Sequence, residues 1–242
     1  MIDTHCHIDL YPKPMDIVNA SERLGLITIG MTNLPSHFEM GLPHILGFKK
    51  VRLALGLHPL LATQHSKELP LFYKNINKTS YIGEVGLDFS REGFQTKQLQ
   101  LNSFKNVLEA VSDKNKILSI HSRRAEKEVF NLLKEYKIKN AIFHWYSGAI
   151  KLIDQIANNG YFFSINPEMV KSENGRKIIL RIPKELLLTE SDGPYIQYEN
   201  KIIVPKDIIA VIDYLSVLYN EDRKAVEERI DSNFKRLIDK IK

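Results

Sequence analysis

The chain has 242 residues, 43% hydrophobic and 26% charged, which is enough for one large core beneath an ordinary solvated surface. Its net charge of +5 suits a polyanionic substrate, although solvated lysine-rich helix faces explain it equally well. The lone cysteine, Cys6, rules out an internal disulfide, and no apolar run nears the about 18 residues that would span a bilayer. With no signal peptide ahead of the first strand-like run, a cytoplasmic location is expected.

Strand-like and amphipathic segments alternate from end to end. The first run, Met1–His7, closes on His5-Cys6-His7. Residues two apart on a strand share a face, so His5 and His7 project together and form half of a metal site. Alternation turns Cys6 the other way, toward a helical layer. Leu26–Met31 is the second run. The third, Val51–Leu57, leads into Gly56-Leu57-His58-Pro59, where His58 faces the same end and suits hydrogen bonding to a substrate phosphate.

The fourth run, Ser80–Val85, contains Glu84 between Gly83 and Gly86. A glutamate can bridge two cations through its two oxygens, and glycines leave it room. Asp88 either caps the next helix or orients a ligand. The stretch Gln95–Ser112 places Leu99, Leu101, Phe104, Val107, Leu108 and Val111 on one helical stripe. The fifth run, Lys116–His121, ends in a candidate ligand, His121. Arg123 just beyond it offers a planar fork to a phosphate, while Arg124 faces solvent. Ala125–Tyr136 reads as a helix with Val129, Leu132 and Leu133 inward.

The sixth run, Asn140–His144, ends in His144, followed by Trp145 and Tyr146, which serve either as stacking platforms or as core. Tyr161–Ile165 is the seventh. Glu185–Glu190 is the eighth and leads to Asp192, which could ligate a metal and take a proton from an attacking water. Glu190 points the same way from deeper in, placed to hold a histidine in its tautomer. Pro205 is expected to open a helix over Lys206–Tyr219. A last helix, Ala225–Lys242, carries Val226, Ile230, Phe234, Leu237 and Ile241 on its apolar face. His37, His44 and His65 lie away from strand ends and read as surface residues.

Eight strand-like runs, each followed by a helix-like one, predict a single-domain α/β fold over residues 1–242, a TIM (β/α)8 barrel. Ligand-type residues at the C-terminal ends of six of these runs predict one shared metal site at the barrel mouth. The absence of a Walker loop or a strand-linked GxGxxG disfavours nucleotide-driven motors and Rossmann dehydrogenases.

Six ordered motifs make the chain resemble the TatD family of metal-dependent DNases, within the amidohydrolase superfamily. They are Asp3-Thr4-His5-Cys6-His7, Gly56-Leu57-His58-Pro59, Gly83-Glu84-Val85-Gly86-Leu87-Asp88, His121-Ser122-Arg123, His144-Trp145-Tyr146-Ser147-Gly148 and Glu190-Ser191-Asp192-Gly193-Pro194-Tyr195, with a late Asn233-Phe234 also matching. The resemblance implies hydrolysis of DNA phosphodiesters, often as a 3′-to-5′ exonuclease acting on single-stranded ends. It assigns His5, His7, Glu84 and Asp192 to one divalent metal and Glu84, His121 and His144 to a second. Glu84 and Asp192 also carry the chemistry, and His58 and Arg123 contact the substrate phosphate. Zn²⁺, Mn²⁺ and Mg²⁺ all suit such donors.

Departures include Ser191 for the usual threonine, Trp145-Tyr146 for a common Cys-Phe pair, and Lys201-Ile202-Ile203-Val204-Pro205 in place of an Arg-Asn-x-Pro segment. These traits resemble the TatD-like nucleases of Qat anti-phage cassettes, which implies partner proteins in a defence complex. The competing readings are a small-molecule amidohydrolase, in which a carbamylated lysine often replaces the fourth-strand glutamate, and a barrel serving chiefly as a docking subunit.

Overall fold

A computed structural model describes residues 1–198 and 201–241. Its strands are β1 (Ile2–Cys6), β2 (Ile27–Gly30), β3 (Val51–Leu53), β4 (Leu55–Leu57), β5 (Tyr81–Gly86), β6 (Ile117–His121), β7 (Ala141–His144), β8 (Phe162–Ile165) and β9 (Leu187–Thr189). All neighbours pair in parallel, β1 to β3 in one sheet and β4 to β9 in another. The third expected strand is thus split at Ala54, which joins the two sheets. The ring closes where β1 meets β9. There His7 N donates to Gly193 O (2.8 Å), Asp192 N to His5 O (2.9 Å) and the Thr4 hydroxyl to Thr189 O (3.0 Å). The result is the TIM barrel expected from the sequence.

The helical layer comprises α1 (Pro14–Leu24), α2 (Pro35–Ile45), α3 (His65–Asn75), α4 (Lys97–Val111), α5 (Glu126–Glu135), α6 (Ile150–Asn158), α7 (Pro167–Lys171), α8 (Glu173–Arg181), α9 (Ile209–Tyr219) and α10 (Arg223–Asp239). Two apolar clusters follow from this layering. One fills the barrel with Ile2, Ile29, Met31, Ile117, Ile142, Phe162 and Leu188, floored by Phe234 and Leu237 of α10. The other, which includes Cys6, lies between strands and helices.

Strand phase is not constant, and the breaks aim the site. Simple alternation would put Ile2 and Cys6 on one face, yet Ile2 packs inside the barrel and Cys6 against the helices. An irregularity between Asp3 and Cys6 makes the switch, and a second, between Ile82 and Val85, brackets Glu84. One extra residue in a strand re-aims every side chain beyond it.

Several expectations are corrected. Leu99 is 47% exposed and leaves the α4 stripe, whose first turn buries Gln100 instead. Pro205 opens a 3-10 turn over Pro205–Ile208, and the α-helix starts only at Ile209. Ile241 lies beyond the end of α10, and position 242 falls outside the described residues. A short antiparallel pair, Gln197–Tyr198 with Lys201–Ile202, follows the last barrel strand where none was expected. His65 is 3% exposed rather than on the surface, and His37 is half-buried beside Asp9, while His44 is exposed as expected. Among the described residues, no helix is long and apolar enough to cross a membrane.

Candidate metal centre

All six residues expected to bind metal meet at the C-terminal mouth of the barrel, centred on the buried carboxylate of Glu84. Its Oε2 stands 3.1 Å from His7 Nε2 and 3.5 Å from His5 Nε2. Its Oε1 stands 2.5 Å from His121 Nδ1 and 2.8 Å from His144 Nε2. The two oxygens therefore divide four imidazoles into two pairs. Asp192 approaches the first pair, with Oδ1 3.7 Å from His5 Nε2 and 3.9 Å from His7 Nε2. His144 also stacks on His5 at 3.9 Å between centroids and forms a candidate ligand group with His5 and Asp192, a grouping the sequence did not foresee.

Glycines make room for this carboxylate. Gly86 has φ +142, and a Cβ there would stand 2.0 Å from His121 O, so only glycine permits the close approach of β5 to β6. Trp145 (φ 37), directly after β7, and Asp192 (φ 47), three residues past the end of β9, hold left-handed backbone that non-glycine residues seldom adopt.

The donors fit divalent cations. Bonds of about 2.1 Å place neighbouring ligand atoms roughly 3.0–3.4 Å apart. His5 Nε2 and His7 Nε2 lie 3.2 Å apart, and Glu84 Oε2 completes the triangle at similar range. Two ring nitrogens at that separation share one hydrogen at most, so a lone pair is left pointing into the centre. Outer partners steer some rings: Ser119 Oγ is 2.8 Å from His5 Nδ1, and Asp88 Oδ2 is 2.8 Å from His121 Nε2. Asp88 thus touches a ligand-type histidine instead of capping α4. Among the described residues, His7 Nδ1 and His144 Nδ1 are buried without such a partner.

Charge balance points the same way. Burial works against the Glu84 carboxylate, yet the imidazoles of His58, His144 and His121 outweigh it and hold it well below its usual range. Burial likewise disfavours charge on His144 and His121, but Glu84, joined by Glu190 beside His144 and by Asp88 beside His121, more than reverses this and raises both. A cation would compete with the proton for the lone pairs of His121 and His144, whereas burial holds His5 well below its ordinary value. Burial lifts Asp192 to about 7 and Asp3 to about 8.

His58 stands closer to the centre than expected, with Nε2 3.3 Å from Glu84 Oε2. Its Nδ1 accepts the Leu60 backbone N–H at 3.2 Å, so the other nitrogen carries the hydrogen and presents a donor, not a lone pair. Arg123 is half-exposed at the rim, 3.5 Å from Glu92. Glu190 does not do what alternation implied. It lies 3.8 Å from His144 Nδ1, too far for a hydrogen bond, and instead accepts from Trp145 N (3.0 Å), Asn166 Nδ2 (2.9 Å) and the Ser164 hydroxyl. The Trp145-Tyr146 pair divides: Tyr146 is core, donating to Ala149 O at 2.8 Å, while Trp145 is 37% exposed. A cavity of about 500 Å³ opens over Glu84 and Asp192 between Leu60, Arg123, Trp145 and Tyr195.

This constellation sits inside a sequence match to the family model for TatD related DNases that covers residues 2–239. The chain belongs to that family. It is 28% identical over 244 residues to an uncharacterized metal-dependent hydrolase of Methanocaldococcus jannaschii, covering 96% of this chain and 94% of that one. It is 24% identical over 264 residues to a human protein named deoxyribonuclease TATDN3, covering 100% and 96%. In fold it is similar to the TatD homologue YjjV of Escherichia coli, with a TM-score of 0.88 at 22% identity and coverage of 98% and 97%. The chain is thus a TatD-family hydrolase.

Sequence reasoning missed some residues at this TatD-type centre. Tyr195 packs edge-on to His7, with centroids 4.9 Å apart, and lines the cavity. Its place three residues past Asp192 was a usable signal. His65, whose Nε2 lies 3.0 Å from His58 O, braces the turn that carries His58. Its position at the start of α3 gave no hint of burial.

Proposed function

We propose that the protein hydrolyses DNA phosphodiester bonds with divalent cations held on His5, His7, Glu84, His121, His144 and Asp192, working from 3′ ends. The observation that carries this is the division of Glu84, with one oxygen toward His5 and His7 and the other toward His121 and His144. A single carboxylate placed this way could serve more than one divalent cation, one on each oxygen. Divalent cations held by these residues would supply Lewis-acid polarisation of a phosphoryl oxygen and a more acidic water.

The chain's own groups do the rest. Asp192, beside both His5 and His7, accepts the proton that the attacking water gives up. His58 offers its Nε2 hydrogen to a non-bridging phosphate oxygen. Arg123 holds a neighbouring phosphate from the rim, where its fork is shared only with an exposed Glu92. Support for DNA comes from the family and from the name of the human relative. The open cavity of about 500 Å³ suits a strand end better than an uninterrupted duplex.

The test is metal-loaded protein with DNA and RNA oligonucleotides of one sequence, labelled at each end in turn. The expected result is stepwise shortening of single-stranded DNA from the 3′ end. Cleavage of neither nucleic acid, with turnover of a small lactone or amide, would replace this reading with an amidohydrolase.

A further inference from the structure

We propose that Trp145 is the platform on which one unstacked nucleobase of the substrate lies, so that the mouth admits a single terminal nucleotide at a time. The inference deepens the nuclease reading and rests on it. Trp145 is 37% exposed and lines the same cavity as Glu84, Asp192 and Arg123. Large apolar surface at a polar catalytic mouth costs solvation free energy unless a ligand covers it. A flat indole next to a phosphate-binding arginine matches a nucleotide's two chemistries, a π face and an anion.

The backbone that carries the ring is also fixed before any ligand arrives. Its backbone N–H is held by Glu190 Oε1 at 3.0 Å, and Glu190 is itself pinned by Asn166 and Ser164. The left-handed φ of 37 at Trp145 turns the chain sharply just after His144. Trp145 therefore leaves the core while the next residue, Tyr146, enters it. Buried Glu190 thereby supports a rim residue, which accounts for a carboxylate that contacts none of the ligand-type histidines at hydrogen-bond range. A cavity of about 500 Å³ holds roughly one nucleotide, with Leu60 and Tyr195, 36% and 55% exposed, as its other apolar walls.

Trp145 is the only tryptophan in the chain, so its fluorescence reports on this position alone. The binding experiment titrates metal-loaded protein, at low salt, with a thymidine oligonucleotide carrying phosphorothioate linkages at its 3′ end. A matched oligonucleotide is abasic at the terminal position. The base-bearing strand is expected to quench the fluorescence and the abasic strand to bind without quenching.

The kinetic experiment uses the hydrolysable versions. Base–aromatic stacking is worth about 5- to 150-fold per base. Trp145→Ala should therefore lower kcat/KM on the base-bearing strand by roughly tenfold or more, change the abasic strand little, and be rescued by Trp145→Phe. Binding without quenching, or equal losses on both strands, overturns the platform while leaving the nuclease reading intact. Quenching by DNA that wild-type protein never cleaves supports the platform and overturns the nuclease reading.

Discussion

Glu84 Oε1 lies 2.8 Å from His144 Nε2 across 60 residues of chain. That contact ties the ends of β5 and β7 together over the mouth, while the other oxygen reaches β1. Deleting its charge should cost binding of metal far more than folding. Partners that merely orient a ligand typically change metal affinity by about 10–100-fold. Glu84→Gln keeps the shape and loses the charge, so it should weaken metal binding by at least about 100-fold and reduce cleavage to background. Calorimetric titration with Mn²⁺ and Zn²⁺ checks the first effect. An unchanged far-ultraviolet circular dichroism spectrum checks the fold. Retention of near-wild-type metal affinity would remove Glu84 from the centre.

Chelation should silence the enzyme and also soften it. A ligand that binds only the folded state stabilises it by about 2.7 kcal/mol at 100 times its Kd. Prolonged dialysis against EDTA should therefore lower Tm by several degrees, with readdition of one divalent metal restoring both Tm and cleavage. Full activity after complete metal removal, verified by elemental analysis, would contradict the arrangement.

Arg123 makes a different kind of prediction, because it stands at the rim and is half-exposed. Its ion pair with Glu92 is solvent-screened and contributes little to stability. Arg123→Ala should leave Tm within about 1 °C and flatten the plot of log binding constant against log salt by a slope of about one. The measurement is a salt series of oligonucleotide binding. An unaltered slope would show that the guanidinium touches no phosphate.

The histidines at strand ends were legible because a parallel barrel has one functional rim and strand ends are visible as apolar runs. What stayed hidden is phase. The irregularities around Asp3–Cys6 and Ile82–Val85 decide which side chains face inward, yet a bulge leaves no mark in composition. Glu190 was misjudged because the positive φ at Asp192 breaks the alternation between the two: strict alternation aimed Glu190 at a histidine, whereas it accepts from Trp145 N. The aromatic pair was ambiguous because the sharp turn at Trp145 is a property of backbone angles rather than residue type. The antiparallel pair after β9 consists of two two-residue strands, too short to produce a period.

His65 gives the last prediction, since its burial was the clearest surprise. Burial holds its imidazole at about 4, below the ordinary 6.5. The unfolded chain thus binds a proton there that the folded chain refuses until the pH approaches 4. The stability attached to neutral His65 is fully present above pH 6.5 and is lost as pH falls from 6.5 toward 4. A tenfold difference in proton affinity between the two states is worth about 1.36 kcal/mol, so moving from pH 7 to pH 5 should cost about 2 kcal/mol through this residue alone. His65→Gln keeps a donor for His58 O and does not titrate. In chelated protein, the loss of unfolding free energy between pH 7 and pH 5 should therefore be smaller in the variant by about 2 kcal/mol. Urea titrations of both proteins at the two pH values provide the measurement, the other histidines titrating alike in each. Equal losses would mean that folding does not alter the proton affinity of His65.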